Sequence, residues 1–238
     1  MEWVSASKTL VLGHRGASAD APENTLAAFV MAREQGADGI ELDVRLSADG
    51  WPVIIHDDRI ERTTNGTGRV AHLTVAELQA LDAGAGQSVP TLDEVFETLG
   101  PGFLYNVEIK DFGWRDTGIE AAVADRIEAH HLTNQTVVSS FNPLTVRRAR
   151  RHLPQSTLVA LIRERRSSKF GHWLAAADGD HPYYTMVDEA YMAWARQCGY
   201  RVHVWTVDDP AEARRLASLG VHAIITNKPK LIRESLEK

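Results

Sequence analysis

The sequence predicts an α/β fold, a (β/α)8 TIM barrel with a small insertion after the second strand and its hairpin. Three observations predict it. Eight short apolar runs alternate with amphipathic stretches, which fits parallel strands covered by helices on their outer side. The chain has 238 residues, close to the about 250 that one such barrel takes. Histidine, arginine, lysine and acidic residues gather at the ends of the early strands, the end at which a barrel opens. An open doubly wound sheet fits the same alternation. The expected organisation is one domain over residues 1–238, with 57–90 inserted within it.

The strands are expected at Thr9–Gly13, Gly39–Val44, Phe103–Lys110, Thr136–Phe141, Thr157–Ile162, Tyr183–Val187, Arg201–Val207 and Ala223–Asn227. The helix after Asn24 turns Leu26, Phe29 and Val30 to one side. Between Val44 and His56 an Asp49-Gly50 turn lies between apolar flanks, a hairpin signal. A two-residue turn there pairs Val44 with Ile55 and Asp43 with His56. The stretch Asp57–Pro90 is polar and rich in Gly and Thr, with one helical patch at Thr74–Leu81. A connection this long inside a compact fold is usually functional. Thr91 and Glu94 form a capping box for a helix that stops at Gly100. Asp188 and Gly199 bracket another, with Ala190, Tyr191, Trp194, Ala195 and Cys198 as its apolar face. Asp209-Pro210 opens a further helix and Gly220 closes it.

Composition excludes several classes. The chain is 44% hydrophobic, too apolar for disorder, and its one cysteine, Cys198, rules out an internal disulfide. Cys198 reads as a buried apolar residue. The net charge of −6 speaks against a nucleic-acid partner. Arg147, Arg148, Arg150 and Arg151 read as a solvated helix surface. His130-His131 reads as a helix C-terminus. The N-terminal stretch lacks a basic leader, and no run reaches the ~18 apolar residues of a membrane span. The expected location is cytoplasmic, without stable membrane insertion; no feature marks a subunit interface.

The strand ends carry the chemistry. The first closes on His14 and Arg15, the second carries Glu41 and Asp43, and the third barrel strand carries Glu108 and Lys110. Residues i and i+2 share a strand face, so the acids cluster if these faces point inward. Buried carboxylates need a counter-charge, and an all-oxygen set favours a hard cation, Mg²⁺ or Ca²⁺. His14 and His56 beside it suit general acid and base work, in either order. Arg15 and Lys110 suit a phosphate oxygen. The set fits hydrolysis of a phosphodiester. The same acids also fit a half-exposed antiparallel strand whose apolar neighbours face the core.

Nine blocks now carry a resemblance. They are His14-Arg15-Gly16-Ala17, Pro22-Glu23-Asn24-Thr25, the Gly36–Val44 block with Glu41 and Asp43, His56-Asp57-Asp58, Arg62–Gly68, Asn106–Lys110, Ser139-Ser140-Phe141, Val202–Val207 and Gly220–Thr226. In this order, from about residue 9 to about 230, they resemble the glycerophosphodiester phosphodiesterase family. The resemblance implies a TIM barrel, a divalent cation and cleavage of glycerophosphodiesters to glycerol 3-phosphate and an alcohol. It places metal ligands at Glu41, Asp43 and Glu108, catalytic histidines at His14 and His56, and phosphate contacts at Arg15 and Lys110. It sets Trp205 against the glycerol moiety and Glu23 near the site. His222-Ala223 stands where the family often has Asp-Gly, and Asn227 where Asp is common; neither falls on a position expected to do chemistry. Residues 163–181 match no block.

Two other functions compete. A lysophospholipase D acting on single-chain lipids needs an apolar patch at the barrel mouth, with Phe112–Trp114 or Phe170–Ala177 as candidates. A silent glycerophosphodiester-binding barrel would be favoured by loss of a histidine or metal acid, and all are present.

Overall fold

The computed structural model describes residues 3, 8–165 and 170–237. Its elements run β1 (Leu10–His14), α1 (Leu26–Glu34), β2 (Gly39–Leu46), β3 (Pro52–Ile54), α2 (Val75–Gln79), α3 (Leu92–Leu99), β4 (Leu104–Ile109), α4 (Ile119–Ala129), β5 (Thr136–Ser140) and α5 (Pro143–His152). They continue with β6 (Leu158–Arg163), α6 (Phe170–Ala175), β7 (Gly179–Pro182), α7 (Glu189–Cys198), β8 (Arg201–Val204), α8 (Pro210–Leu219), β9 (Ala223–Thr226) and α9 (Pro229–Leu236). Among the described residues β1, β2 and β4 to β9 are parallel, and β1 pairs with both β9 and β2. The ring is closed, so the fold is the expected (β/α)8 barrel and not an open sheet with two free edges.

The lower interior of the ring is apolar. Leu10, Leu12, Leu104, Val137, Ala160, Ala223 and Ile225 meet there with Trp3. The indole of Trp3 stacks on His203 at 4.8 Å, and His203 stacks on His181 at 4.5 Å. Outside the ring, Ile40, Leu42, Val107, Phe96, Val123 and Val146 pack strands against α3, α4 and α5. Each such side chain, when fully buried, contributes roughly 1.5–3 kcal/mol. The capping box at Thr91 and Glu94 forms, and a second one forms at Thr74 and Glu77. Asp188 and Gly199 cap α7, and Asp209 and Gly220 cap α8, as expected.

The hairpin differs from its expected register by one residue. Val44 pairs with Ile54 and Arg45 with Val53, and Ile55 N–H donates to the Asp43 carbonyl. The turn uses three residues, because Gly50 takes φ +83° and Ser47 N–H closes onto the Trp51 carbonyl at 3.0 Å. His56 therefore does not sit opposite Asp43. β3 pairs with β2 beyond the point at which β1 ends. The residues that follow wrap a small core of Val53, Ile55, Ile60, Val70, Leu78 and Val89.

Three further expectations are corrected. Tyr183–Val187 is not a strand; the strand is Gly179–Pro182, hidden in the sequence because Asp180 and His181 interrupt its apolar character. Asp180 pairs with Arg163 at 2.6 Å and bonds Tyr191, while His181 faces the ring. Cys198 is exposed at the end of α7, and so is Ala190; the buried residues of that helix are Tyr191, Met192 and Ala195. The arginines of α5 are not one solvated surface. Arg147 and Arg151 are exposed, but Arg148 is buried against Glu120 at 2.6 Å and Arg150 pairs with Asp178 at 3.2 Å.

Among the described residues no helix is long and apolar enough to cross a membrane. Residues 1, 2 and 4–7 of the N-terminal stretch lie outside the described residues, as do residues 166–169 of the unmatched segment.

Candidate active site

Strand register assembles the site. His14 pairs with Glu41 across β1 and β2, and Asp43 pairs with Glu108 across β2 and β4. Glu41, Asp43 and Glu108 are 3%, 1% and 6% exposed, and their ligand-capable oxygens all lie within 4.8 Å of one another. The turn after β1 brings the cation. Arg15 takes φ +55° and Gly16 φ +86°; a Cβ on Gly16 would lie 2.6 Å from the Ala28 carbonyl, so only glycine fits there. Arg15 N–H then donates to the Glu41 side chain at 3.2 Å, and its Nε lies 3.0 Å from Asp43. Lys110 reaches Asp43 at 3.0 Å and also contacts Glu108.

The two histidines are held from behind by different groups. His14 Nδ1 lies 2.7 Å from Asn227 Oδ1, and its Nε2 lies 3.9 Å from Glu41. Asn227 Nδ2 donates to Asp208 at 2.7 Å and Ser18 Oγ donates to Asn227 Oδ1 at 2.8 Å. The carboxamide oxygen thus faces the ring, which places a proton on Nδ1 and leaves Nε2 toward the acids. His56 Nδ1 bonds the Asp57 carboxylate at 2.5 Å. Asp57 is held by Arg62, Arg62 reaches Glu23 at 2.8 Å, and Glu23 in turn accepts from Arg15 at 2.8 Å. One chain of charges therefore runs from Arg15 through Glu23, Arg62 and Asp57 to His56, with Arg62 at its centre.

Electrostatics follow from burial. Burial, then Asp43 and Glu108, push the Glu41 carboxyl well above its usual range. Burial pushes Glu108 up to about 7, although Lys110 opposes it. Asp43 is equally buried, yet Lys110 and Arg15 beside it hold its carboxyl low. Burial lowers both His14 and His56, and Arg15 lowers each further. Burial works against the charge of Lys110, but Asp43 and Glu108 raise it on balance. Three converging carboxylates, two of them pushed toward protonation, fit a hard divalent cation that would let all three ionise.

The acids and histidines open into a pocket of ≈ 420 Å³, counted with its open mouth. Phe141, Ile162, His181, Trp205 and Ile225 supply much of its wall. Trp205 lies edge-on to Phe141 at 5.5 Å and donates from Nε1 to the His181 carbonyl at 2.8 Å. Of the nine residues expected from the sequence, His14, Arg15, Glu41, His56, Glu108, Lys110 and Trp205 line this pocket; Asp43 joins them through Arg15 and Lys110, and Glu23 through Arg15. The sequence reading missed Asn227, Asn24, Asp57 and Arg62. Asn227 stands against a catalytic candidate, contrary to the expectation that it has no chemical position. Asn24, at φ +57°, donates to Asp43 at 2.8 Å. The signal for Asn24, Asp57 and Arg62 was their place inside the quoted blocks.

The model of the glycerophosphoryl diester phosphodiesterase family matches residues 14–231. The chain belongs to this family. A glycerophosphodiester phosphodiesterase of Caldanaerobacter subterraneus is 38% identical over 237 residues, covering 94% of this chain and 96% of that protein. The structure of an Oleispira antarctica phosphodiesterase in complex with the product sn-glycerol-3-phosphate superposes with TM-score 0.87 at 29% identity, covering 97% of this chain and 98% of that one. An Agrobacterium tumefaciens glycerophosphodiester phosphodiesterase superposes with TM-score 0.84 at 32% identity, covering 95% and 99%. The family's activity, phosphodiesterase action on glycerophosphodiesters, is the enzymatic class of this chain.

Proposed function

We propose that the enzyme hydrolyses glycerophosphodiesters to glycerol 3-phosphate and an alcohol by metal-assisted acid and base catalysis with two histidines. The observation that carries this reading is the convergence of three buried carboxylates, two cations and two histidines on one pocket. Glu41, Asp43 and Glu108 would hold one divalent cation, Mg²⁺ or Ca²⁺, whose Lewis acidity polarises a phosphoryl oxygen. Arg15 and Lys110 bind and orient the phosphate. One histidine takes the proton of the attacking oxygen, and the other gives a proton to the departing alkoxide. Asn227 and Asp57 hold the two rings for that exchange. Trp205 packs on the glycerol carbons, and Glu23 keeps Arg15 aimed. We read the chain as one domain, 1–238, with 57–90 inserted.

The test is turnover of glycerophosphocholine and glycerophosphoethanolamine with and without chelator. Full activity in excess EDTA or in His14→Ala would overturn the reading. A second reading, lysophospholipase D, draws on Phe112 and Trp114, 61% and 90% exposed in the loop after β4. Preferred turnover of lysophosphatidylcholine would favour it.

A further inference from the structure

Asn106 and His181 line the pocket and have no part in the chemistry above. Asn106 stands two residues before Glu108 on β4, so strand alternation aims it the same way, and it pairs in register with Glu41. It is 1% exposed. Ser139 Oγ donates to its Oδ1 at 2.8 Å, which turns Nδ2 the other way. That Nδ2 has no hydrogen-bond partner among the described residues. His181, from β7 on the far side of the ring, is also 1% exposed, and neither of its ring nitrogens has a partner among the described residues. Its ring is held by the stack on His203, with 28° between the planes. The neighbouring wall residues Ile162 and Ile225 have no polar side-chain atoms to offer either group.

A buried donor left unpaired is destabilising. Two such groups on the wall of one pocket point to a polar ligand. We propose that Asn106 and His181 form a subsite for the free hydroxyl groups of the glycerol half of the substrate. A hydroxyl both donates and accepts. Asn106 Nδ2 donates, and a neutral imidazole supplies one donor and one acceptor. Burial holds His181 down at about 4, so its neutral form prevails near neutral pH. The adjacent Ile162, Ile225 and Trp205 suit the glycerol carbons. A cationic head group finds only a donor in Asn106, so the glycerol half occupies this wall and the leaving alcohol lies toward the mouth.

The subsite rests on the proposed phosphodiesterase reading, because the cations fix the phosphate end. Calorimetry on the full chain with saturating Mg²⁺ separates the two ideas. The titrants are sn-glycerol 3-phosphate and inorganic phosphate, against the unmodified enzyme, Asn106→Leu and His181→Phe; the phenyl ring keeps the stack on His203. The unmodified enzyme is expected to bind sn-glycerol 3-phosphate at least about tenfold tighter than inorganic phosphate, and each variant to lose most of that ratio, because a site built to bond hydroxyls discriminates through them. Ser139→Ala, which frees the Asn106 carboxamide without altering the wall, is expected to reduce the ratio as well. It serves as the test if a wall variant fails to bind either titrant. A ratio near one in the unmodified enzyme, or an unchanged ratio in the variants, overturns the subsite. A retained ratio without any turnover of glycerophosphocholine overturns the catalytic reading and leaves the subsite standing.

Discussion

The Nδ1 of His14 and the Oδ1 of Asn227 meet at 2.7 Å although 213 positions separate the residues in the chain. The bond closes the barrel chemically as well as structurally, since His14 ends the first strand and Asn227 follows the last. Asn227 Nδ2 in turn meets the Asp208 carboxylate. An aspartate at 227 would set two carboxylates face to face, so the amide suits this chain. Asn227→Ala is expected to lower kcat about 10- to 100-fold with little change in KM, the scale seen when a supporting bond to a site residue is lost. Asn227→Asp is expected to do likewise, and Asn227→Asp with Asp208→Asn to recover most of the rate in steady-state assays.

Chelation is expected to abolish turnover, and added Mg²⁺ or Ca²⁺ to restore it. Glu41→Gln and Glu108→Gln each remove one charge from the proposed ligand set. Both variants are expected to need far more cation for half-maximal rate, and titration of activity against free cation reads this directly. Unchanged cation dependence in both would refute the ligand assignment.

Glu23 is shared by Arg15 and Arg62. Glu23→Gln keeps its shape and removes its charge, which loosens the guanidinium proposed to meet the phosphate. KM for glycerophosphocholine is expected to rise about tenfold, in line with a charge-assisted bond of ~1.5–3 kcal/mol. A change confined to kcat would place the effect on His56 instead.

The ring histidines tie stability to pH. His181 is held at about 4 and His203 well below its usual value, both by burial first. The unfolded chain takes up protons on these rings near 6.5, whereas the folded chain resists until near 4 for His181. The contribution of these rings to stability is therefore full above about 6.5 and falls as the pH drops toward 4. The His181 shift alone corresponds to roughly 3 kcal/mol at ~1.4 kcal/mol per unit. His203→Phe is expected to flatten the decline in urea-unfolding free energy between pH 7 and 5.

Arg148 is buried between α5 and α4, bonded to Glu120, Thr145 and Asp111. Arg148→Met strands the Glu120 carboxylate and is expected to cost about 3–5 kcal/mol. Arg148→Met with Glu120→Leu is expected to recover most of it, as denaturant midpoints will show.

The barrel and the core of its site were legible because their signals are local. Strand alternation aims Glu41 with Asp43 and Glu108 with Lys110, and that rule needs no tertiary knowledge. What escaped depends on contacts between distant segments. Asn227 looks like a loop residue until the ring closes on His14. Arg148 sits in a run of arginines that pattern alone assigns to solvent, and only the facing Glu120 shows otherwise. β7 escaped because Asp180 and His181 break its apolar run, and their partners lie on other strands and helices. The hairpin slipped by one because Gly50 carries a third turn residue, which composition alone does not count.

The rings of Trp3, His203 and His181 stand in contact from the closed end of the barrel to the pocket wall. Barrels of this type ordinarily separate the end that confers stability from the end that performs chemistry. Here a single column of stacked rings breaches that separation. A substitution of Trp3, remote from every reacting group, would unseat His203 and be felt through it at His181. In this enzyme the plug of the barrel is also the foundation of its pocket, and engineering one end without reference to the other will change both.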